Sequence, residues 1–448
     1  MCRFYLFLFL VLATPLWAAE DQTISEELYD LKSCRTIGST DMVEVLLEVA
    51  GMTQIVTPDG KAEKEVASPL KAVAGFRYEE RVLDFQVSEK PFFKSIREYS
   101  LAKVKMNIGE TERTPNLDSN HRFVVCEINN KRASLFSPQG PLKSEQLLLI
   151  EEIPGNTLCL DLLLPPKPVK IGDSWKIPDS ALLPFLNIDG VLEQTLEATL
   201  LSVADDLALV QVVGDSQGAY LGTFSEMTVN AKYQFDLRAQ RINWLGMLLE
   251  EQRSIGHVVP GVDVKARLQV QISPLDAPKN LTDDDLKAFN FNPNETVIRL
   301  RYEDGKGLWR FHHPRSWYII QDDQNSTLLR MLDKGNFVAQ CNIVAMPKTD
   351  PKTPTPLKQF AEKLVKGLEK NSITVVASEE SHNSAGYHEL RVILDGKVEK
   401  DLPLRWVYFL LTDKNGFQTL VVFVIEAERL SQFGDSDEKI IDSFRMIN

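Results

Sequence analysis

Val264-Lys265-Ala266-Arg267-Leu268-Gln269-Val270-Gln271-Ile272 alternates between two kinds of position along its whole length. Successive side chains of an extended chain point to opposite faces, so the pattern predicts a strand with one buried and one wet face. Strands of that kind belong to antiparallel sheets, because parallel sheets are covered on both sides. The same reading extends outward to Met42–Val49, to Thr199–Val203 and to Leu207–Val213, where β-branched and other apolar residues recur. Helical periodicity is scarce before residue 275, and a single turn from Ser180 to Leu183 is expected to end at Pro184. Residues 20–275 therefore read as a β-rich antiparallel region.

Within this region Leu164-Pro165-Pro166-Lys167-Pro168 forbids a central strand, and Gly172-Asp173 marks a turn. The break near 155–175 leaves two alternatives, one large open barrel or two stacked modules. Residues 276–294, with two prolines, four asparagines and Asp283-Asp284-Asp285, read as a linker. Thr282 with Asp285 three residues on is a capping signal for one short helical turn.

After the linker the pattern changes to α+β. Strands are predicted at Val297–Tyr302 and Asn336–Met346. A helix follows, with Leu357, Phe360, Ala361, Leu364, Val365 and Leu368 on one face, Thr355 as cap and Pro356 at its first position. Strands return at Ile373–Ala377, Tyr387–Leu394, Leu404–Leu411 and Phe417–Ile425. Asp395-Gly396 and Asn415-Gly416 are the expected turns. Ser436 opens a last helix with Ile440, Ile441 and Phe444 inward. This order implies helices packed on an antiparallel sheet over 295–448.

Phe311-x-x-Pro314-x-Ser316-Trp317, the helix begun by Pro356, the meander and Ile441-Asp442-Ser443-Phe444 together resemble PsbP-like domains, over about a third of the chain. That resemblance implies an α+β fold and a non-catalytic binding or assembly role, and it transfers no specific binding residue. The N-terminal region resembles, in general β character alone, the open half-barrels of envelope lipid-carrier proteins.

Arg3, the apolar run Phe4–Leu12, Pro15 and the small residues Ala18 and Ala19 have the layout of a secretory signal peptide, residues 1–19. A secreted or periplasmic protein is expected, with no later run of the roughly 18 apolar residues that a membrane helix needs. Cleavage removes Cys2 and leaves Cys34, Cys126, Cys159 and Cys341, which allow three pairings in an oxidising compartment. Cys341 shares a strand face with Phe337, Ala339 and Ile343 and reads as a buried free thiol, so any disulfide is expected among Cys34, Cys126 and Cys159.

The net charge is -13, while residues 295–448 hold 21 Lys/Arg against 22 Asp/Glu. The excess acid thus lies before residue 295, which argues against nucleic acid and anionic membrane as partners. Gly214-Asp215-Ser216-Gln217-Gly218 looks like a serine-protease nucleophile segment, but Gln217 departs where the backbone forms the oxyanion hole, and His121 is the only histidine upstream of it. A polar hairpin is the expectation there. No phosphate-cradling loop is present. Asp283-Asp284-Asp285 and Asp413-Lys414-Asn415-Gly416 lack the later acidic residue of a calcium loop, and read as a helix start and a hairpin turn. Asp435, Asp437 and Glu438 suit a helix N-terminus. Glu250-Glu251 point to opposite faces, and so do His312 and His313, one inward and one to solvent.

No catalytic, cofactor-binding or metal-ligating residue is assigned, and no cofactor is implied. The expected function is a non-catalytic binding or assembly protein of the cell envelope, with an unassigned envelope protein or an apolar ligand as partner. One alternative is a carrier of an apolar ligand. Another is a hydrolase, which a Ser/His or carboxylate pair brought within hydrogen-bond reach in a cleft would support.

Overall fold

The computed structural model describes residues 27–59, 62–86, 91–129, 131–350, 352–368, 372–398 and 402–447. The expected signal peptide lies outside the described residues. The chain is β-rich, with large antiparallel sheets and some helices.

Its first sheet has thirteen strands: β1 (Thr40–Asp59), β2 (Ala62–Gln86), β3 (Phe92–Ile108), β4 (Thr111–Arg113), β5 (Phe123–Asn129), β6 (Ser134–Phe136), β7 (Ser174–Lys176), β8 (Gly190–Gln194), β9 (Glu197–Ala204), β10 (Leu207–Tyr220), β11 (Thr223–Asp236), β12 (Arg241–Arg253) and β13 (Gly261–Leu275). They run in the order β6-β5-β3-β2-β1-β13-β12-β11-β10-β9-β7, with β4 on β3 and β8 on β10. The alternating Val264–Ile272 stretch lies in β13, between β1 and β12, with Leu268, Val270 and Ile272 buried. Pairing of β1 with β13 joins the two ends of the region, so the Pro165–Pro168 break falls in a connection between strands of one continuous sheet.

The buried face of that sheet is covered by three short helices: α1 (Ser144–Glu151), a 3-10 segment (Thr157–Leu163) and α2 (Asp179–Leu186). Leu147, Ile150, Leu158, Leu163, Leu182 and Phe185 enter one core with Phe76, Tyr233, Phe235 and Leu245. α2 continues through Pro184, where the sequence predicted its end. The ring forgoes one backbone hydrogen bond, at a cost of about 3 kcal/mol, against which Leu182, Phe185 and Leu186 are buried. Asn187 then closes the helix in the left-handed region, φ 58°. Ser216 lies inside β10 rather than in the expected hairpin, because β10 runs in unbroken register against β11 from Leu207 to Tyr220.

The acidic linker is packed. α3 (Asp283–Leu286) carries the predicted cap, Thr282 accepting from the Asp285 amide. Leu281, Leu286 and Phe289 cover Ile96, Phe123, Val125 and Phe136 on the back of the sheet. α4 (Glu295–Ile298) takes Val297 and Ile298 from the start of the strand predicted over Val297–Tyr302, because the Asn294 side chain accepts from the Val297 amide at 2.9 Å and starts a helical turn.

Next come β14 (Leu300–Glu303), β15 (Trp309–His313), β16 (Trp317–Asp322), β17 (Ser326–Asp333), β18 (Asn336–Met346), α5 (Leu357–Gly367), β19 (Thr374–His382), β20 (His388–Lys397), β21 (Pro403–Thr412), β22 (Gln418–Glu426), α6 (Leu430–Phe433), α7 (Ser436–Ser443) and β23 (Arg445–Met446). β14-β15-β23 form a small sheet, and β16-β17-β18-β22-β21-β20-β19 a seven-stranded one. α5 packs through Phe360 on Leu390, Trp406 and Tyr408. Phe433, Ile440, Ile441 and Phe444 join the second core beside Trp309, Phe311, Trp317 and Phe423.

Two details differ from expectation. Pro356 is the cap residue of α5 and Leu357 its first position, with no side-chain cap from Thr355. Asp395-Gly396 is inside β20, held extended by two Arg405–Asp395 hydrogen bonds of 2.8 and 2.9 Å. Asn415-Gly416 does form a turn, closed by the Asp413 amide on the Phe417 carbonyl.

Candidate functional site

One polar region lies along a seam between α1, β6 and the Phe311–Trp317 segment. Hydrogen bonding along this seam begins in the backbone, where the Arg301 amide donates to the Leu142 carbonyl at 2.8 Å and Lys143 bridges to Arg301. Strand alternation in β15 then sends His313 inward and leaves His312 partly exposed. His313 places Nε2 3.2 Å from Ser144 Oγ, while its Nδ1 sits 3.0 Å from the Pro314 carbonyl. That carbonyl can only accept, so Nδ1 carries the proton and Nε2 accepts from the serine.

A Ser/His pair is thus within hydrogen-bond reach, at residues 169 positions apart. No sequence motif links them. His313 is 0% exposed, and burial pulls its imidazole down to about 4. Its orienting partner is a backbone carbonyl in place of a carboxylate. These features make it a buried tie between α1 and β15.

Arg315 extends the same tie, donating from Nε to the Ile298 carbonyl at 2.8 Å and from an Nη to the Leu135 carbonyl of β6. Burial lowers its pKa, with Glu151 acting against that shift. Glu151, at the end of α1, is pushed up to about 7 by burial, against the attraction of Arg132 and Arg315. Burial likewise raises Glu152, which accepts a hydrogen bond from the Tyr220 hydroxyl. Arg132 pairs with Asp189 at 3.3 Å, and both Arg132 and Arg253 lie over the Tyr220 ring. Tyr318 is raised to about 12, chiefly by burial. The cluster alternates cations, carboxylates and phenols across the seam, an arrangement that holds two surfaces in register.

A second polar cluster is buried inside the first sheet. Glu80 accepts from Arg97 Nε at 2.7 Å, Ser95 at 2.9 Å and Thr157 at 2.6 Å. Burial opposes its charge, but Arg97, Arg35 and these hydrogen bonds outweigh burial and hold the carboxyl below its ordinary range. Arg35 joins the Thr157 carbonyl at 2.9 Å and Asp41 at 3.1 Å, so the network pins the 3-10 segment to the strands. Beside it is a cavity of only about 20 Å³, lined by Phe76, Tyr78, Arg97, Ile150, Asn156 and Pro184 among others. That volume suits a single water.

Other residues singled out from the sequence are dispersed. Cys34, Cys126, Cys159 and Cys341 are free thiols, Cys34 exposed and the rest buried, so no disulfide joins Cys34, Cys126 and Cys159. Asn156 separates the two nearest ones, its amide donating to Cys126 and its carbonyl accepting from Cys159. Asp283 pairs with Arg81 and Asp284 with Lys287, while Asp413 accepts the amides of Asn415 and Phe417. Asp437 is buried against Arg391, a role beyond helix polarity. Glu250 and Glu251 part as expected, to Lys265 and Ser225. His382 and His388 face each other across a hairpin, rings 5.7 Å apart, with His388 on Glu380.

No family model matches the chain, and no curated protein matches it. Among solved structures, CyanoP, the cyanobacterial PsbP of Synechocystis sp. PCC 6803, matches 35% of this chain and 96% of its own at 13% identity, with a TM-score of 0.27. OccK7 (OpdD) of Pseudomonas aeruginosa matches 87% of this chain and 99% of its own at 9% identity, TM-score 0.16. OprD of Pseudomonas aeruginosa matches 89% and 96% at 10% identity, TM-score 0.13. Likenesses at these scores carry no argument.

Proposed function

We propose that this is a non-catalytic binding or assembly protein of the cell envelope, secreted or periplasmic, with a β-rich part over 20–275 and a PsbP-like part over 295–448. The observation that carries this reading is the contrast between interior and surface. The chain's own helices pack into the interior of the large sheet, where a cavity beside Arg97 and Asn156 measures about 20 Å³. Its outer face, by contrast, exposes Leu46, Val73, Leu101 and Leu248, and the end of the β1–β2 hairpin exposes Met52, Ile55, Val56 and Val66. Apolar side chains grouped on an otherwise wet sheet face favour contact with a partner over enclosure of a small molecule.

A carrier of an apolar ligand is the second reading, favoured by the apolar face beneath α1, the 3-10 segment and α2. Ligand pockets run to roughly 300–1,000 Å³, so the helices must lift for a ligand to enter. One experiment serves both readings: affinity purification of the mature protein from its native envelope, with mass spectrometry of proteins and lipids. Specific enrichment of a protein supports the first reading and co-purifying lipid the second. Enrichment of neither sinks both.

A further inference from the structure

The small sheet β14-β15-β23 turns Leu300, Tyr302, Trp309, Phe311 and His313 inward. Alternation therefore places Arg301, Glu303, Arg310, His312 and Arg445 together on its outer face. The register sets Arg301 opposite His312, and Arg310 between Glu303 and Arg445. Like charges directly opposite one another destabilise a sheet, so the Arg310–Arg445 pairing costs the fold stability.

One carboxylate, Glu303, stands opposite Arg310 on this face, against three arginines. Arg301 and Arg310 are in no ion pair among the described residues. Arg445 donates to the backbone carbonyls of Asp442 and Phe444, which leaves its charge uncompensated. Arg299 reaches Glu295 at 3.5 Å, a carboxylate already held by Lys439. Burial first, and then Arg301, Arg299, Arg310 and Arg445, lower the pKa of His312 below the usual imidazole value. The cationic character continues over the seam to Lys143, which with Arg301 acts on His121, with Asp118 as the opposing charge.

This patch stands on a chain of net charge -13. A bilayer or a nucleic acid spreads over a wide surface and would also meet the part of the chain before residue 295, which carries the excess acid. A short anionic segment meets the patch alone. Guanidinium groups suit it, since their planar forks pair with carboxylates two hydrogen bonds at a time. Strands about 4.8 Å apart make the face on the order of 10 Å across, enough for two or three carboxylates.

We propose that the outer face of β14-β15-β23 docks a short acidic segment of a partner protein, its carboxylates pairing with Arg301, Arg310 and Arg445. This rests on the binding and assembly reading and names the chemistry of the partner.

The test is fluorescence anisotropy of a labelled hexaglutamate peptide titrated with the full chain at low ionic strength. Saturable, salt-sensitive binding is expected, weakened at least about tenfold by Arg301→Gln with Arg310→Gln. Arg301→Lys with Arg310→Lys keeps the charge and loses the fork, so its affinity falls between the two. Lys71→Gln with Lys265→Gln, on the large sheet, leaves affinity unchanged. Unfolding midpoints of all variants confirm that each is folded, and the lysine pair serves as the test if the glutamine pair is not. The assignment is overturned by absent peptide binding, by an unchanged affinity in the arginine variants, or by an equal loss in the Lys71/Lys265 control. Tighter binding to phosphatidylglycerol vesicles or to an oligonucleotide overturns it too. Envelope purification separates the two levels. A partner enriched equally by wild type and the Arg301/Arg310 variant leaves the binding reading standing and removes this face, whereas no enrichment by wild type removes the reading itself.

Discussion

Trp317 meets the rings of Phe423 and Phe433 edge-on and is 1% exposed. Trp317→Ala is expected to cost about 3–5 kcal/mol, the range for a buried aromatic, read from the denaturant midpoint. An unchanged midpoint would show that the segment is not scaffold. Glu151 and His313 pull stability in opposite directions with pH. The folded Glu151 holds its proton up to about 7 against an ordinary value of 4.5, so stability falls as pH rises through that window. His313 titrates near 4 against an ordinary 6.5, so its contribution is lost as pH falls through that interval. Glu151→Gln removes only the first term. The slope of stability against pH between about 4.5 and 7 should then become more positive by up to about 1.4 kcal/mol per pH unit, measured by urea unfolding across that range. Of Cys34, Cys126, Cys159 and Cys341, only Cys34 should react rapidly with a thiol reagent in the native state, and the other three should follow on unfolding. The inward and outward split of His312 and His313 was legible from alternation alone. The Ser144 partner was not, because 169 positions separate it from His313 and no local pattern connects them.

At the scale of elements, strong periodicity transferred well. The apolar stripes of α5 and α7 and the strand Asn336–Met346 fall where the sequence puts them, because their buried faces are written at fixed spacing. Short elements did not transfer as well. α2 runs through Pro184 and α4 replaces the start of a predicted strand, since neighbouring core contacts and one Asn294 hydrogen bond outweigh local preference. The capping pair of α3 was legible in full, and Thr282→Ala should cost about 1 kcal/mol, checked by equilibrium unfolding. A change within a few tenths would mean that α3 contributes little to the packing of Leu281 and Phe289 on Phe123.

Across the whole molecule, the seam should decide whether the two parts unfold together. Arg315 joins the Ile298 and Leu135 carbonyls, so Arg315→Ala removes a donor from each of them. A loss of about 1–3 kcal/mol is expected, as for a charged donor removed from buried acceptors. Calorimetry should show one transition in wild type and two in the variant, and a single undisturbed transition would assign the coupling elsewhere. The sequence by itself determined the β-rich antiparallel character, the α+β pattern after residue 295, and which faces of the long strands are buried. Those properties follow from side-chain alternation and helical spacing, which are local. Only the tertiary structure decided that β1 and β13 are neighbours, that helices fill the face of the large sheet, and that Ser144 meets His313. It also decided that Arg301, Arg310 and Arg445 share one face. Each of these depends on pairing between segments far apart in the chain, and strand partners are chosen by the packing of the whole core, which no single stretch encodes.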